Sequence, residues 1–138
     1  MCYRFTKNPA YLQQARHIAD FFFGLANLPE DFIPYWDMKA PGIPNAPRDA
    51  SAAAIMASAL YELRTYVSAE DSNRYQGIAD KIVDSLNKHY QAEPETNYGF
   101  LLLHSTGHHP GGDEIDVPLN YADYYYLEAL GRKDAFKQ

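Results

Sequence analysis

This sequence predicts an all-α fold: an arc of helical hairpins with an outer and an inner layer. Three observations lead there. Four segments carry helical periodicity, and two long loops separate them in places where short turns would do. The helices alternate between ones with a single polar face and ones with almost none. And from Ala50 to Tyr61 no residue is charged, with only Ser51 and Ser58 carrying aliphatic hydroxyls. A helix that is apolar or small on every face must be surrounded by protein, whereas every helix of a simple bundle keeps one wet face. Alternation therefore assigns the amphipathic helices to an outer ring and the others to an inner ring of an α/α toroid or barrel. Two hairpins cannot close a ring, so the chain reads as an arc of one.

The first helix opens at Asn8-Pro9, an N-cap followed by proline at the first helical position. Leu12, Ala15, Ile18, Ala19, Phe22, Phe23 and Ala26 form its apolar stripe, and Gln13, Gln14, Arg16, His17 and Asp20 take the other side. The second spans Asp49 to Val67 and is buried all round until Glu62 and Arg64. The third starts near Asp71-Ser72 and reaches about Tyr90, its stripe running through Tyr75, Ile78, Ala79, Ile82, Val83, Leu86 and Tyr90. The fourth is expected to start at Asp116-Val117-Pro118, with Asp116 as its cap, and to stop at Gly131, a natural C-cap before Arg132-Lys133. The loops Asn27 to Arg48 and Gln91 to Val117 both lead into the N-terminus of a buried helix, and long ordered loops tend to carry function. In the second, the apolar run Tyr98 to His104 is a candidate short strand.

Composition narrows the function. The 138 residues suffice for one domain, residues 1–138 being read as a single unit, and the formal charge is −6. No basic stripe is present, which argues against nucleic acid and anionic membranes as partners. The apolar runs are too short to span a bilayer, and the start Met1-Cys2-Tyr3-Arg4-Phe5 is not a signal peptide. A lone cysteine, Cys2, excludes an intramolecular disulfide and a cysteine-based zinc site. It leaves the compartment open between cytoplasm and periplasm. Aromatics make up 14% of the chain, with 12 Tyr. They serve either a core with polar tips or a surface for flat ligands such as sugars, and the core reading is favoured.

Four groups of residues could carry chemistry. Asp49 stands where an N-cap belongs, beside Arg48, and a carboxylate there can both accept backbone N–H bonds and face a cleft. Trp36 and Asp37 form an aromatic–acid pair in a long loop, as sugar-stacking platforms do, and Asp37 with Asp49 could mimic a glycosidase carboxylate pair. His104, His108 and His109 with Asp113, Glu114 and Asp116 contain metal-ligand residue types, but the glycines and Pro110 between them favour an exposed, turn-rich loop. Asn120 and Asp123 share a face near the mouth of the fourth helix, and their partner is a tyrosine, a backbone group or substrate. A phosphate-binding glycine loop, a nucleophile elbow and an HExxH motif are all missing.

An ordered set of segments then carries a resemblance. Tyr35-Trp36-Asp37, Pro44 through Ala54, Tyr98-Gly99, His104-Ser105, Glu114 through Leu119, Tyr121 through Tyr125 and Leu127 through Leu130 resemble the unsaturated glucuronyl hydrolases of glycoside hydrolase family 88. The resemblance implies an (α/α)6 barrel. It implies removal of C4=C5 unsaturated uronic acids from lyase-generated oligosaccharides, by protonation and hydration of the enol ether without metal or cofactor. It covers only the C-terminal third of such proteins. The family's acid/base aspartate, in an Ile-Ile-Asp-Asn type segment, and its Arg-Gly-Gln-Ala-Trp motif have no counterpart here. Met1 therefore reads as an internal residue of a longer protein, Cys2 to Phe5 as the tail of an inner helix, and the isolated chain as inactive. Within a Ser-x-x-Ser-x-Lys pattern for sulfated substrates, Ser105 fits, while His108 and Pro110 do not.

By the same resemblance the substrate is an unsaturated uronyl oligosaccharide. Trp36 with Asp37 would meet a sugar face, Arg48 and Asp49 would line the inner-helix mouth, and His104 with Ser105 would touch the reducing-side sugar. The alternatives are a non-catalytic helical carbohydrate-binding or assembly module and an unsaturated rhamnogalacturonyl hydrolase fragment. An open arc should also self-associate through its exposed apolar flanks.

Overall fold

The computed structural model describes residues 2–135 and contains five α-helices: α1 (Cys2–Thr6), α2 (Pro9–Phe23), α3 (Ala50–Leu63), α4 (Ala69–His89) and α5 (Asn120–Ala135). The expectation placed on Met1 falls outside these residues. Asn8 caps α2 by accepting the Ala10 N–H at 3.0 Å, with Pro9 at the first position. α2 ends at Phe23, before the expected Ala26. α3 continues through a 3-10 turn at Arg64–Tyr66, close to the expected end at Val67. α4 starts two residues early because Ser68 caps it, accepting the Asp71 N–H at 3.2 Å, while Glu70 and Asp71 face the positive helix end.

α5 departs from expectation at both ends. Asp116 is not its cap: its carboxylate lies 2.7 Å from His104 Nδ1, and Val117 is held back by a reciprocal backbone pair with Ser105 at 2.9 and 3.0 Å. Only from Asn120 is the chain free to coil. At the far end Gly131 does not stop the helix. Arg132 donates to the Ser58 carbonyl at 2.5 Å and to Glu62 at 3.0 Å, and Lys133 lies 3.2 Å from Asp80, so side-chain bonds hold the last turn. The run Tyr98 to His104 is not a strand either. Its backbone makes one isolated bridge, Gln91 with Leu102, and the Leu101 and Leu102 N–H groups go instead to the Asp123 carboxylate at 2.8 and 3.0 Å.

The core lies between α3, α4 and α5. Ala50, Ala53, Ala54 and Ala57 are fully buried, and their small side chains bring α3 close to both neighbours. Ile82, Val83 and Leu86 fill the space from α4, and Ala122, Tyr126 and Ala129 from α5. Two of the many tyrosines are polar-tipped core residues. Tyr61 donates to Asp80 at 2.6 Å and Tyr126 donates to Asn87.

The inner helices are less enclosed than the sequence suggests. Ile55 and Ala59 on α3, and Tyr121, Tyr124 and Leu127 on α5, are exposed, because no element among the described residues covers those flanks. α2 is clipped to α4 by Arg16–Asp71 at 2.9 Å and Arg74–Asp20 at 2.6 Å rather than by broad apolar packing. Between α2 on one side and α3 with α5 on the other runs an apolar groove of about 570 Å³, walled by Leu12, Ala15, Ile18, Ile55, Ala59 and Tyr125 among others. Among the described residues no helix is long and apolar enough to cross a membrane.

Candidate functional site

The two long loops meet at the N-terminus of α3, and the backbone stitches them there. Trp36 N–H donates to Pro47 at 3.0 Å and Asp49 N–H to Pro34 at 2.9 Å, folding the first loop back on itself. The second loop joins through Ala50 N–H to the His104 carbonyl at 3.1 Å and Thr106 Oγ1 to the Arg48 carbonyl at 3.0 Å. Asp49 completes the join. Its Oδ1 accepts from Ser51 N–H at 3.0 Å, from Ser51 Oγ at 2.6 Å and from Thr106 N–H at 3.3 Å. The carboxylate is both the helix cap and a clasp on the opposite loop.

Beside this junction opens a polar cleft of about 490 Å³, with Asp31, Asn45, Arg48, Tyr90, His104 and Asp116 in its walls. Arg48 is held on three sides. Its Nε donates to the Ile33 carbonyl at 2.9 Å, a terminal nitrogen donates to Asp31, and the guanidinium lies 5.2 Å from the Tyr35 ring centre. Tyr90 donates to the other Asp31 oxygen at 3.5 Å. Burial, reinforced by the Asp31 carboxylate and partly opposed by Arg48, pushes the Tyr90 phenol up to about 12, so it is a neutral donor. His104 faces Tyr90 edge-on at 5.9 Å and pairs with Asp116. Both His104 (φ 62°) and Asp116 (φ 57°) sit in the left-handed region, a conformation that costs non-glycine residues energy and is tolerated where surrounding contacts enforce it. The result is a wall of fixed donors and acceptors carrying charges of both signs, chemistry that suits a polyhydroxylated ligand.

The structure sorts the six expected site residues. Arg48 and His104 share the cleft wall. Asp49 lies behind it as cap and clasp. Asp37 is exposed and closes its own turn, accepting the Lys39 N–H at 2.7 Å. Ser105 is fully buried and its hydroxyl has no hydrogen-bond partner among the described residues. Trp36 stacks on His109, ring centres 4.0 Å apart and planes 4° from parallel. His108 pairs with Asp113 at 2.6 Å, so the histidines are divided between separate acids. Among the described residues no three His, Cys, Asp or Glu side chains converge as a metal site. Asp123, singled out at the mouth of α5, serves backbone rather than a ligand.

Two wall residues escaped sequence reasoning, Asp31 and Tyr90, and a third, Asp116, was singled out only with the histidine loop and as a helix cap. Tyr90 looks like the last residue of a core stripe, and Asp116 like a cap. Asp31 had a local signal, since its Oδ1 accepts the Ile33 N–H two residues on at 3.1 Å, a turn preference of aspartate.

No protein-family model matches the chain. It is 49% identical over 134 residues to the unsaturated glucuronyl hydrolase of Formosa agariphila, a match covering 96% of this chain and 33% of the relative. A crystal structure of an unsaturated glucuronyl hydrolase specific for heparin superposes with a TM-score of 0.94 and 45% identity, over 98% of this chain and 36% of that one. An aspartate-to-asparagine mutant of the Streptococcus agalactiae enzyme, crystallised with dGlcA-GalNAc6S, superposes with a TM-score of 0.82 and 30% identity, over 96% of this chain and 35% of that one. The helices are thus an arc of an (α/α)6 barrel, with α2 and α4 outer and α3 and α5 inner. The chain spans about a third of the length of the curated relatives it matches. By sequence and by fold, it is a homologue of the unsaturated glucuronyl hydrolases over that third.

Proposed function

We propose that this chain forms one side of the substrate cleft of a hydrolase that removes C4=C5 unsaturated uronic acids from oligosaccharide ends, and that it corresponds to the C-terminal third of such an enzyme. The superposition at TM-score 0.94 and 45% identity carries the reading, because it spans the helices and loops that build the α3 mouth. In this proposal Arg48 and His104 present donors and acceptors to sugar hydroxyls and the uronyl carboxylate. Asp49 keeps the two loops in register, and Trp36 offers an aromatic face. Protonation of the enol ether falls to an aspartate outside this sequence. The expected outcome is that the 138-residue chain leaves the ultraviolet absorbance of an unsaturated uronyl disaccharide unchanged. Steady loss of that absorbance would overturn the division of labour and return Asp37 and Asp49 to candidacy as catalysts.

We also propose that the exposed flanks make the chain self-associate. Phe5, Ile18, Phe21 and Leu127 are each more than half exposed, and Ile18 lines the apolar groove; exposed apolar surface of this kind favours association. Light scattering after size exclusion should give a mass above one chain, and Ile18→Ser should lower it. A monomer at all concentrations would refute the idea.

A further inference from the structure

The second loop ends in a hairpin whose base is the reciprocal Ser105–Val117 backbone pair and whose next rung is the Gly107 N–H to Glu114 carbonyl bond at 2.8 Å. Its tip folds tightly. The His108 ring occupies the space over Gly111, where a Cβ would come within 2.1 Å of it, and Gly112 takes a φ of 80°. The tip's backbone bonds, Gly111 N–H to His108 and Gly112 N–H to His109, stay inside the hairpin. Near the base Thr106 bonds to Arg48 and Asp49, and from the tip the side chain that reaches across is His109, lying flat on Trp36 at 4.0 Å. Trp36 is itself fixed to the start of α3 through Pro47.

From this geometry we propose that His109 is a movable cover. It occupies one face of Trp36, a face on which a pyranose ring would stack, and the hairpin tip must swing about the Gly107–Glu114 rung, beyond the Thr106 clasp, before a sugar can use that face. The proposal rests on the uronyl-cleft reading for its ligand class, a pyranoside with a flat C–H face. His109 is then a positioning residue that sets affinity without contacting the reacting atoms. A ring stack of this kind shifts an opening equilibrium by about two- to tenfold, and binding that must first displace it is weakened by the same factor.

Trp36 is the only tryptophan in the chain, so tryptophan fluorescence reports on this residue alone. In the full chain, His109→Ala should increase collisional quenching by acrylamide and tighten binding of an unsaturated uronyl disaccharide, measured by calorimetry, two- to tenfold. His109→Phe, which keeps a ring in place, should stay near wild type in both. Equal affinity in wild type and His109→Ala, or binding that leaves Trp36 fluorescence unchanged, would overturn the cover. So would a His109→Phe variant that behaves like the alanine one. Absence of binding heat from all three proteins sinks the uronyl reading, and with it the competition. Quenching then decides the cover separately, and unchanged quenching in His109→Ala overturns it.

Discussion

Two hollows flank α3, similar in size and different in the residues that line them. The cleft at its N-terminus is polar, and its charged groups answer one another within the chain: Arg48 to Asp31 and the Ile33 carbonyl, Tyr90 to Asp31, His104 to Asp116. The groove along its side is apolar, and α2 stands off from it on exposed ion pairs. The contrast separates what the chain can finish alone from what it cannot. Hydrogen bonds between neighbouring loops complete the mouth. Among the described residues nothing covers the groove walls, and apolar surface is stabilised by being removed from water.

The comparison can be broken most forcefully at Asp123. Its carboxylate serves the Leu101 and Leu102 N–H groups, and Leu102 is fully buried. Asp123→Ala leaves two backbone donors without a charged acceptor and should cost about 3 kcal/mol in urea unfolding, with Asp123→Asn recovering part of it. Asp49→Ala comes next. Loss of the cap and of the Thr106 bond should cost about 1–2 kcal/mol, and exchange of the Thr106 amide should quicken with it. A pH titration follows in size. Tyr90, at about 12, and Tyr61 and Tyr126, all raised by burial, bind their protons more tightly folded than unfolded. Their contribution is therefore complete below the ordinary tyrosine value near 10 and is lost as pH rises through the folded values. Stability should fall steeply between about pH 10 and 12, tracked by phenolate absorbance. The smallest effect belongs to the groove. Ile18→Ser removes a side chain that is 58% exposed and should change monomer stability by less than about 0.5 kcal/mol. A large loss would mean that α2 packs on α3 more firmly than the groove implies.

The sequence was most legible where local chemistry acts alone. Asn8-Pro9 and Asp49 mark helix starts through side-chain capping, and the periodicity of α2 and α4 shows which residues face inward. It was least legible where distant segments compete for one residue. Asp116 has the local features of a cap, but His104, twelve positions earlier, claims its carboxylate. Gly131 reads as a stop, but Arg132 and Lys133 find partners on α3 and α4 that carry α5 past it. The apolar run before His104 has strand composition, yet Asp123 draws the consecutive Leu101 and Leu102 amides to one carboxylate, and pairing stops at the single Gln91–Leu102 bridge.

By itself, then, the sequence determined the helical class, the alternation of wet and enclosed helices and the family likeness, because patterning and capping are properties of short stretches. Only the tertiary structure decided that Arg48 and His104 share a wall with Asp31, Tyr90 and Asp116, that Ser105 is buried and that His109 lies on Trp36. Those outcomes depend on which of several equally suitable partners a folded loop brings within about 3–4 Å, and no local pattern records that choice.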